Sequence, residues 1–146
     1  MPVAGLKALM AAIASDEGTN IVRGRHRLYK CPSGKITIGY GRNLEDNGIS
    51  DVEARELLIN DALAAQRDAA SLVPQWFNLG TVRCNVLSNM AYNLGRDRLA
   101  TFVKFLSAVN AEDFSLASAE MRNSLWYTQV GNRAARLARE METGVA

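Results

Sequence analysis

Histidine occurs once in these 146 residues, cysteine twice and proline three times. The lone His26 and two distant cysteines, Cys31 and Cys84, make no metal-ligand spacing, so neither a metal nor any other cofactor is expected. Nor do they make a disulfide framework, so reduced thiols are expected. No run of about 18 apolar residues occurs, so no membrane-spanning helix and no membrane partner are expected. Repeats and low-complexity tracts are missing too. So is a strong charge of one sign: 17 basic against 15 acidic residues leave +2. That bias is too small to argue for a nucleic-acid partner. What is there, 48% apolar and 22% charged residues in 15.9 kDa, suits one globular domain or two small lobes.

The N-terminal stretch is apolar and ends in small residues, but its Lys7 lies inside it rather than ahead of it, unlike a signal peptide. Leu6, Leu9, Met10 and Ile13 recur at helical spacing, which predicts an amphipathic helix from about Pro2 to Asp16, stopping near Gly18. Residues 18–27 are polar and basic, without a period. Leu28 to Cys31, a Pro-Ser-Gly turn, and Lys35 to Tyr40 read as a β-hairpin. Gly39 and Gly41 leave little side chain beside its second strand, which implies a bulge there or a close approach to the backbone. Asp46-Asn47-Gly48 reads as a turn. Ser50 and Glu53 form a capping box opening a mostly polar helix that ends near Leu72, before Pro74. From Thr81 onward the pattern is helical. Val82, Val86, Met90 and Leu94 share a face and Gly95 stops it. Further helices are expected around Phe102 to Leu106, Asp113 to Asn123 and Asn132 to Glu142, with a short turn at Leu125 to Tyr127. Charge follows the same divisions: residues 1–49 carry +3, 50–73 carry −3 and 74–146 carry +2. The architecture is therefore read as α+β: a small hairpin lobe, a long connecting helix and a helical lobe, with any ligand cleft between the lobes.

Glu17 ends the first helix, where the helix dipole disfavours a carboxylate; partial burial there would favour the protonated form that a general acid needs. An ordinary solvated glutamate is the alternative. Cys31 and Thr37 lie on opposite arms of the hairpin. Read singly, they are a small apolar side chain and a strand residue. A Cys31/His26 thiol dyad has little support, because no helix N-terminus stands at Cys31. Arg23-Gly24-Arg25-His26-Arg27 is a basic run without an aromatic stacking set, suited as well to an anionic polymer such as cell wall as to nucleic acid.

Three blocks carry a resemblance. Asp16-Glu17-Gly18 with Tyr29-Lys30-Cys31-Pro32-Ser33-Gly34-Lys35-Ile36-Thr37-Ile38-Gly39-Tyr40-Gly41-Arg42-Asn43-Leu44 resembles the phage-type lysozymes, the muramidases of glycoside hydrolase family 24 that include the T-even endolysins. That family's signature is Glu, then Asp or Cys, then five residues, then Thr-Ile-Gly; here it matches Glu17, Cys31 and Thr37. Asn89-Met90-Ala91-Tyr92-Asn93-Leu94-Gly95 is similar to the family's cleft-lining helix. Ser124-Leu125-Trp126-Tyr127-Thr128-Gln129 and Asn132-Arg133-Ala134-Ala135-Arg136 complete the match.

The resemblance implies a lysozyme-like fold in one domain over residues 1–146. Its lobes would be a β-containing lobe at 14–49, a connecting helix at 50–73 and a helical lobe at 74–146, with helix 2–16 packed on the last. It implies a bacteriolytic hydrolase cutting the β-1,4 bond between N-acetylmuramic acid and N-acetylglucosamine in peptidoglycan. In an inverting enzyme of this kind, carboxyl pairs stand about 6.5–9.5 Å apart. Glu17 would protonate the leaving oxygen, Thr37 would hold the attacking water, and Cys31 would occupy the place of Asp or Cys. Arg133 and Asn89 would support Glu17, Tyr92 and Asn93 would line sugar subsites, and Asn43 and Glu120 match further cleft positions. A monomer made in a host bacterial cytoplasm and acting in the periplasm, with a holin as helper, is the family's setting. Two departures stand out. Cys31 is not a carboxylate, and thirteen residues separate it from Glu17, a longer spacer than the family's usual one. The other readings are a catalytically silent peptidoglycan-binding protein on the same fold and a lytic transglycosylase.

Overall fold

Ser50 N–H donates to Glu53 Oε2 at 2.7 Å, and Glu53 N–H donates to Ser50 Oγ at 3.2 Å. This reciprocal capping box opens the 22-residue helix Asp51–Leu72. The computed structural model describes residues 5–146. In chain order its elements are α1 (Leu6–Asp16), β1 (Ile21–Val22), β2 (Arg25–His26), β3 (Tyr29–Lys30), β4 (Ile36–Ile38), β5 (Arg42–Asn43), α2 (Leu44–Asn47) and α3 (Asp51–Leu72). A 3-10 turn at Trp76–Asn78 follows, then α4 (Gly80–Leu94), α5 (Arg96–Ala100), α6 (Val103–Asn110), α7 (Phe114–Arg122), α8 (Leu125–Val130) and α9 (Asn132–Thr143). The chain divides into two compact units, Met1–Ala54 and Arg55–Ala146, with the boundary inside α3.

The first unit holds α1, the strands and α2. β1 and β2 are an antiparallel pair, with Ile21 opposite His26 and Val22 opposite Arg25. β3, β4 and β5 form a second antiparallel sheet in that order, with Tyr29 opposite Thr37 and Thr37 opposite Asn43. Among its described residues only Thr37 is buried, so no apolar core forms here. The apolar stripe of α1, Leu6, Leu9, Met10 and Ile13, is exposed. Polar ties hold the strands instead. Lys35 Nζ lies 3.2 Å from both Glu45 and Asp46. Arg42 grips Glu53 with a two-pronged fork, at 3.0 and 2.7 Å, joining β5 to the first turn of α3. Hydrogen bonding from Arg42, and then from Ser50, pulls the Glu53 carboxyl down from the ordinary 4.5 to about 2.

The second unit contains the apolar core. Val86, Leu87 and Met90 of α4, Phe105 and Val109 of α6, Met121 of α7, and Leu137 and Met141 of α9 are all buried. The C-terminal half of α3 adds Ala65 and Ala69. Small residues, Ala117 on α7 with Ala134 and Ala138 on α9, are fully buried. The buried Ser118 hydroxyl donates to Ala138 O at 2.8 Å and accepts from Arg122 Nη1 at 2.6 Å. Arg83 of α4 reaches the end of α9, donating to Met141 O at 2.8 Å and Glu142 O at 3.0 Å. Its guanidinium lies over the Phe114 ring, 3.6 Å from the centroid.

The α+β architecture agrees with the sequence reading, but four segments differ. Residues 18–27 form a hairpin of their own, because Arg23 and Gly24 both take positive φ in a tight turn. The chain reverses again at Gly39–Gly41, adding β5 as a third strand. Asn43 caps α2 by accepting from Asp46 N–H at 3.0 Å, so the segment before Gly48 is a helical turn. Ser124 caps α8 by accepting from Tyr127 N–H at 3.2 Å, which makes a helix of the expected turn at Leu125. The proposed start of the first helix at Pro2 lies outside the described residues.

Two measurements check this account. Leu87→Ala should cost about 2–5 kcal/mol in denaturant unfolding, whereas Leu125→Ala, exposed, should stay within about 0.5 kcal/mol. In an NMR titration Glu53 should have its midpoint at about 2, returning towards 4.5 in Arg42→Gln. Because this pKa is depressed on folding, the pair's contribution is present above about 4.5 and fades as pH falls through about 2.

Candidate active site

α1 stops at Glu17, whose backbone turns extended at ψ 143° while its N–H still donates to Ile13 O. The next carbonyl, Gly18 O, accepts the Tyr29 hydroxyl at 2.7 Å, and that hydroxyl also stands 3.4 Å from Gly39 O. Tyr29 therefore holds the chain after Glu17 close to the turn after β4. In that turn Gly41 has φ 92°, and a Cβ placed on it would come within 3.0 Å of the Glu17 Cδ and Oε2. The close approach foreshadowed by Gly39 and Gly41 is thus made by Glu17 itself. Glu17 is exposed, so the partial burial that would favour its protonated form is not seen.

The β3–β4 turn positions Cys31. Cys31 N–H donates to Lys35 O at 3.0 Å, and Gly34 N–H donates back to Cys31 O at 2.8 Å. The turn brings Ser33 Oγ to 3.0 Å from Cys31 Sγ. Hydrogen bonds from the Ser33 hydroxyl first, then from the Lys35 backbone, outweigh desolvation and lower the thiol from 9.0 to about 7. The thiol therefore ionises more readily than an ordinary cysteine, and its thiolate can accept a proton. Thr37, 1% exposed, donates its hydroxyl to Lys35 O at 2.9 Å. The same hydroxyl also helps to lower the Cys31 thiol by hydrogen bonding. Asn43 is engaged twice by Asp46, through the α2 cap and a side-chain bond of 2.9 Å.

The second unit carries a groove of about 540 Å³. Asn89, Tyr92 and Arg133 all line it, together with Leu58, Arg136 and Glu140. Arg133 donates to Asn89 Oδ1 through Nε at 2.8 Å and through Nη2 as well. Arg136 pairs with Glu140 at 2.9 Å one turn along α9. Tyr92 is half exposed. Asn93 does something else: its Oδ1 accepts the buried Trp126 indole N–H at 2.8 Å. Glu120 lines a different pocket, of about 480 Å³, beside Phe102 and Trp126. The sequence-selected polar residues thus fall into three places. Glu17, Cys31, Thr37 and Asn43 lie in the first unit, Asn89, Tyr92 and Arg133 share one groove of the second, and Glu120 lines another.

Sequence reasoning missed Tyr29 and Ser33 as supports. The Pro-Ser-Gly turn was a usable signal for Ser33, since a short turn folds its middle side chain back towards the preceding strand. Nothing local marked Tyr29, whose partners lie ten and eleven residues away. Among the described residues no cluster of three or more His, Cys, Asp or Glu is placed to hold a metal ion.

Comparison with known proteins adds a second line of observation. The family described as phage lysozyme matches residues 20–142. The chain is 35% identical over 109 residues to the pre-baseplate central spike protein Gp5 of Enterobacteria phage T4, covering 71% of this chain and 19% of that protein. It is 24% identical over 168 residues to probable T4-type lysozyme 2 of Dictyostelium discoideum, covering 95% and 96%. Probable T4-type lysozyme 1 of the same organism is 29% identical over 99 residues, covering 66% and 58%. The chain therefore spans a small part of the spike protein and nearly the whole of lysozyme 2.

The thiol's setting can be measured without a substrate. Alkylation of Cys31 by iodoacetamide should accelerate as pH rises through about 7. In Ser33→Ala the midpoint should move up towards 9.0, because the strongest stabiliser of the thiolate has gone. An unchanged midpoint would show that Ser33 does not set it.

Proposed function

Because the chain belongs to the phage lysozyme family, and through it to the glycoside hydrolases, we propose that it is a muramidase that cuts the β-1,4 bond between N-acetylmuramic acid and N-acetylglucosamine. The observation that carries this reading is the Glu17 carboxyl, held by backbone ties at an open edge of its unit and resting on Gly41. A general acid needs that placement: fixed in position, yet reachable by a polymer.

In the proposed reaction Glu17 gives its proton to the glycosidic oxygen as the C1–O bond breaks. A water oxygen then bonds to C1 from the opposite face, which inverts the configuration. The water's proton goes to the Cys31 thiolate. The lowered pKa, about 7 rather than 9.0, supplies that acceptor by keeping more of the thiol ionised at neutral pH. The Thr37 hydroxyl, tied to Lys35 O and beside the thiol, orients the water through its oxygen. Asn89, Tyr92 and Arg133 contact the sugars, with Arg133 fixed by Asn89.

Mass spectrometry of digested sacculi tests this. Wild type should release products with free reducing ends; 1,6-anhydro ends would mean transglycosylation. Glu17→Gln should lose about 10²–10⁴-fold in rate, the usual contribution of an acid–base group. The kcat of wild type should rise with pH through about 7, and Cys31→Asp should shift that limb into the carboxylate range. If Cys31→Ser keeps the full rate, the thiol takes no proton and its assignment fails.

A further inference from the structure

The β1–β2 hairpin is unused by the reaction above, and it is built at a cost. Its turn places Arg23 at φ 50° and Gly24 at φ 74°. Both central residues of such a turn need positive φ, which favours Asn or Gly at the first position. An arginine there sacrifices turn stability and adds a charge at the tip. The base is closed tightly: Arg27 N–H donates to Asn20 O at 2.7 Å, and Asn20 Nδ2 donates to Leu28 O at 3.0 Å. Arg23, Arg25 and Arg27 are all exposed, and none has an ion pair among the described residues. By contrast Lys35 and Arg42, in the same unit, are paired with Glu45, Asp46 and Glu53.

The position of these charges matters more than their number. The His26 ring packs edge-on against Tyr40, with centroids 5.1 Å apart. Tyr40 is followed by Gly41, the residue on which the Glu17 carboxyl rests. The hairpin therefore stands beside the acid through contacts made within one unit. Arg25 lies in β2 opposite Val22, and Arg27 follows at the closed base of the hairpin, so both stand on this short element with Arg23 at its tip. A guanidinium presents a planar fork matched to a carboxylate, whereas a neutral sugar ring offers it no charge to pair with.

We propose that Arg23, Arg25 and Arg27 form a docking site for the free carboxylates of the stem peptides carried by the muramic acids, next to the point of cleavage. This rests on the muramidase reading and names the part of the substrate that the hairpin recognises. It makes the enzyme selective for peptide-bearing glycan over bare glycan.

The test uses the full chain with Glu17→Gln as the binding-only parent, compared with the same chain carrying Arg23→Gln, Arg25→Gln and Arg27→Gln. Sedimentation with purified sacculi at low salt should show the triple variant binding on the order of tenfold more weakly, and the difference should shrink as salt is raised. Glycan stripped of peptide by an amidase should bind both proteins equally. In the active background the triple substitution should raise KM on sacculi and leave kcat alone, with an unchanged unfolding midpoint. Restoring lysine at the three positions should recover part of the binding. Equal sacculus binding by parent and variant overturns the proposal, as does an equal loss on peptide-free glycan. Parent protein that prefers phosphatidylglycerol vesicles or DNA to sacculi overturns it in favour of those anions. A wild-type chain that releases no reducing ends defeats the muramidase reading separately, because the binding comparison does not depend on turnover.

Discussion

Tyr29 holds the candidate site together with one hydroxyl. Its proton goes to Gly18 O at 2.7 Å, and its oxygen stands close to Gly39 O. The first bond fixes the chain immediately after Glu17, and the contact with Gly39 places the turn that contains Gly41. Everything proposed for the acid depends on this arrangement: a carboxylate on a free helix end would sample many positions and hold none against a bond to be broken. The opposite arm follows the same logic. Lys35 O accepts both the Cys31 N–H and the Thr37 hydroxyl, so one carbonyl sets the positions of two candidate groups.

The two units are stabilised by different physics. The second excludes water from packed aliphatic and aromatic side chains, and its few buried polar atoms, such as Ser118 Oγ, are satisfied by helix carbonyls. The first buries no described apolar side chain and depends on forks, caps and turns. Preorganised polar geometry suits a site that must present charge to a solvated polymer. Apolar packing suits a wall that keeps Asn89 and Arg133 in register over an opening.

Legibility in the sequence followed distance along the chain. The capping box of Ser50 and Glu53 was readable because it is completed within three residues. The core face of α4 was readable from the spacing of Val86, Met90 and Leu94. The β1–β2 hairpin was not, since two-residue strands carry no alternation and the turn uses Arg where Gly or Asn would announce it. The candidate site residues divided the same way. Glu17 could be singled out from its place at a helix end. That Asn93 serves the Trp126 indole depends on a partner 33 residues away, and no local pattern encodes it. The lowered thiol of Cys31 depends on a hydroxyl two residues off, close enough to have been anticipated from the turn.

The lack of an apolar core in the first unit has a consequence for cooperativity. Amide hydrogens that are protected only by turns and short ladders exchange through small local openings, well below the free energy of global unfolding. Those of α4, α6 and α9 are protected by packing and exchange only when that packing is lost. A single melting temperature for this chain would therefore describe its helical unit and be nearly silent about the part that holds Glu17.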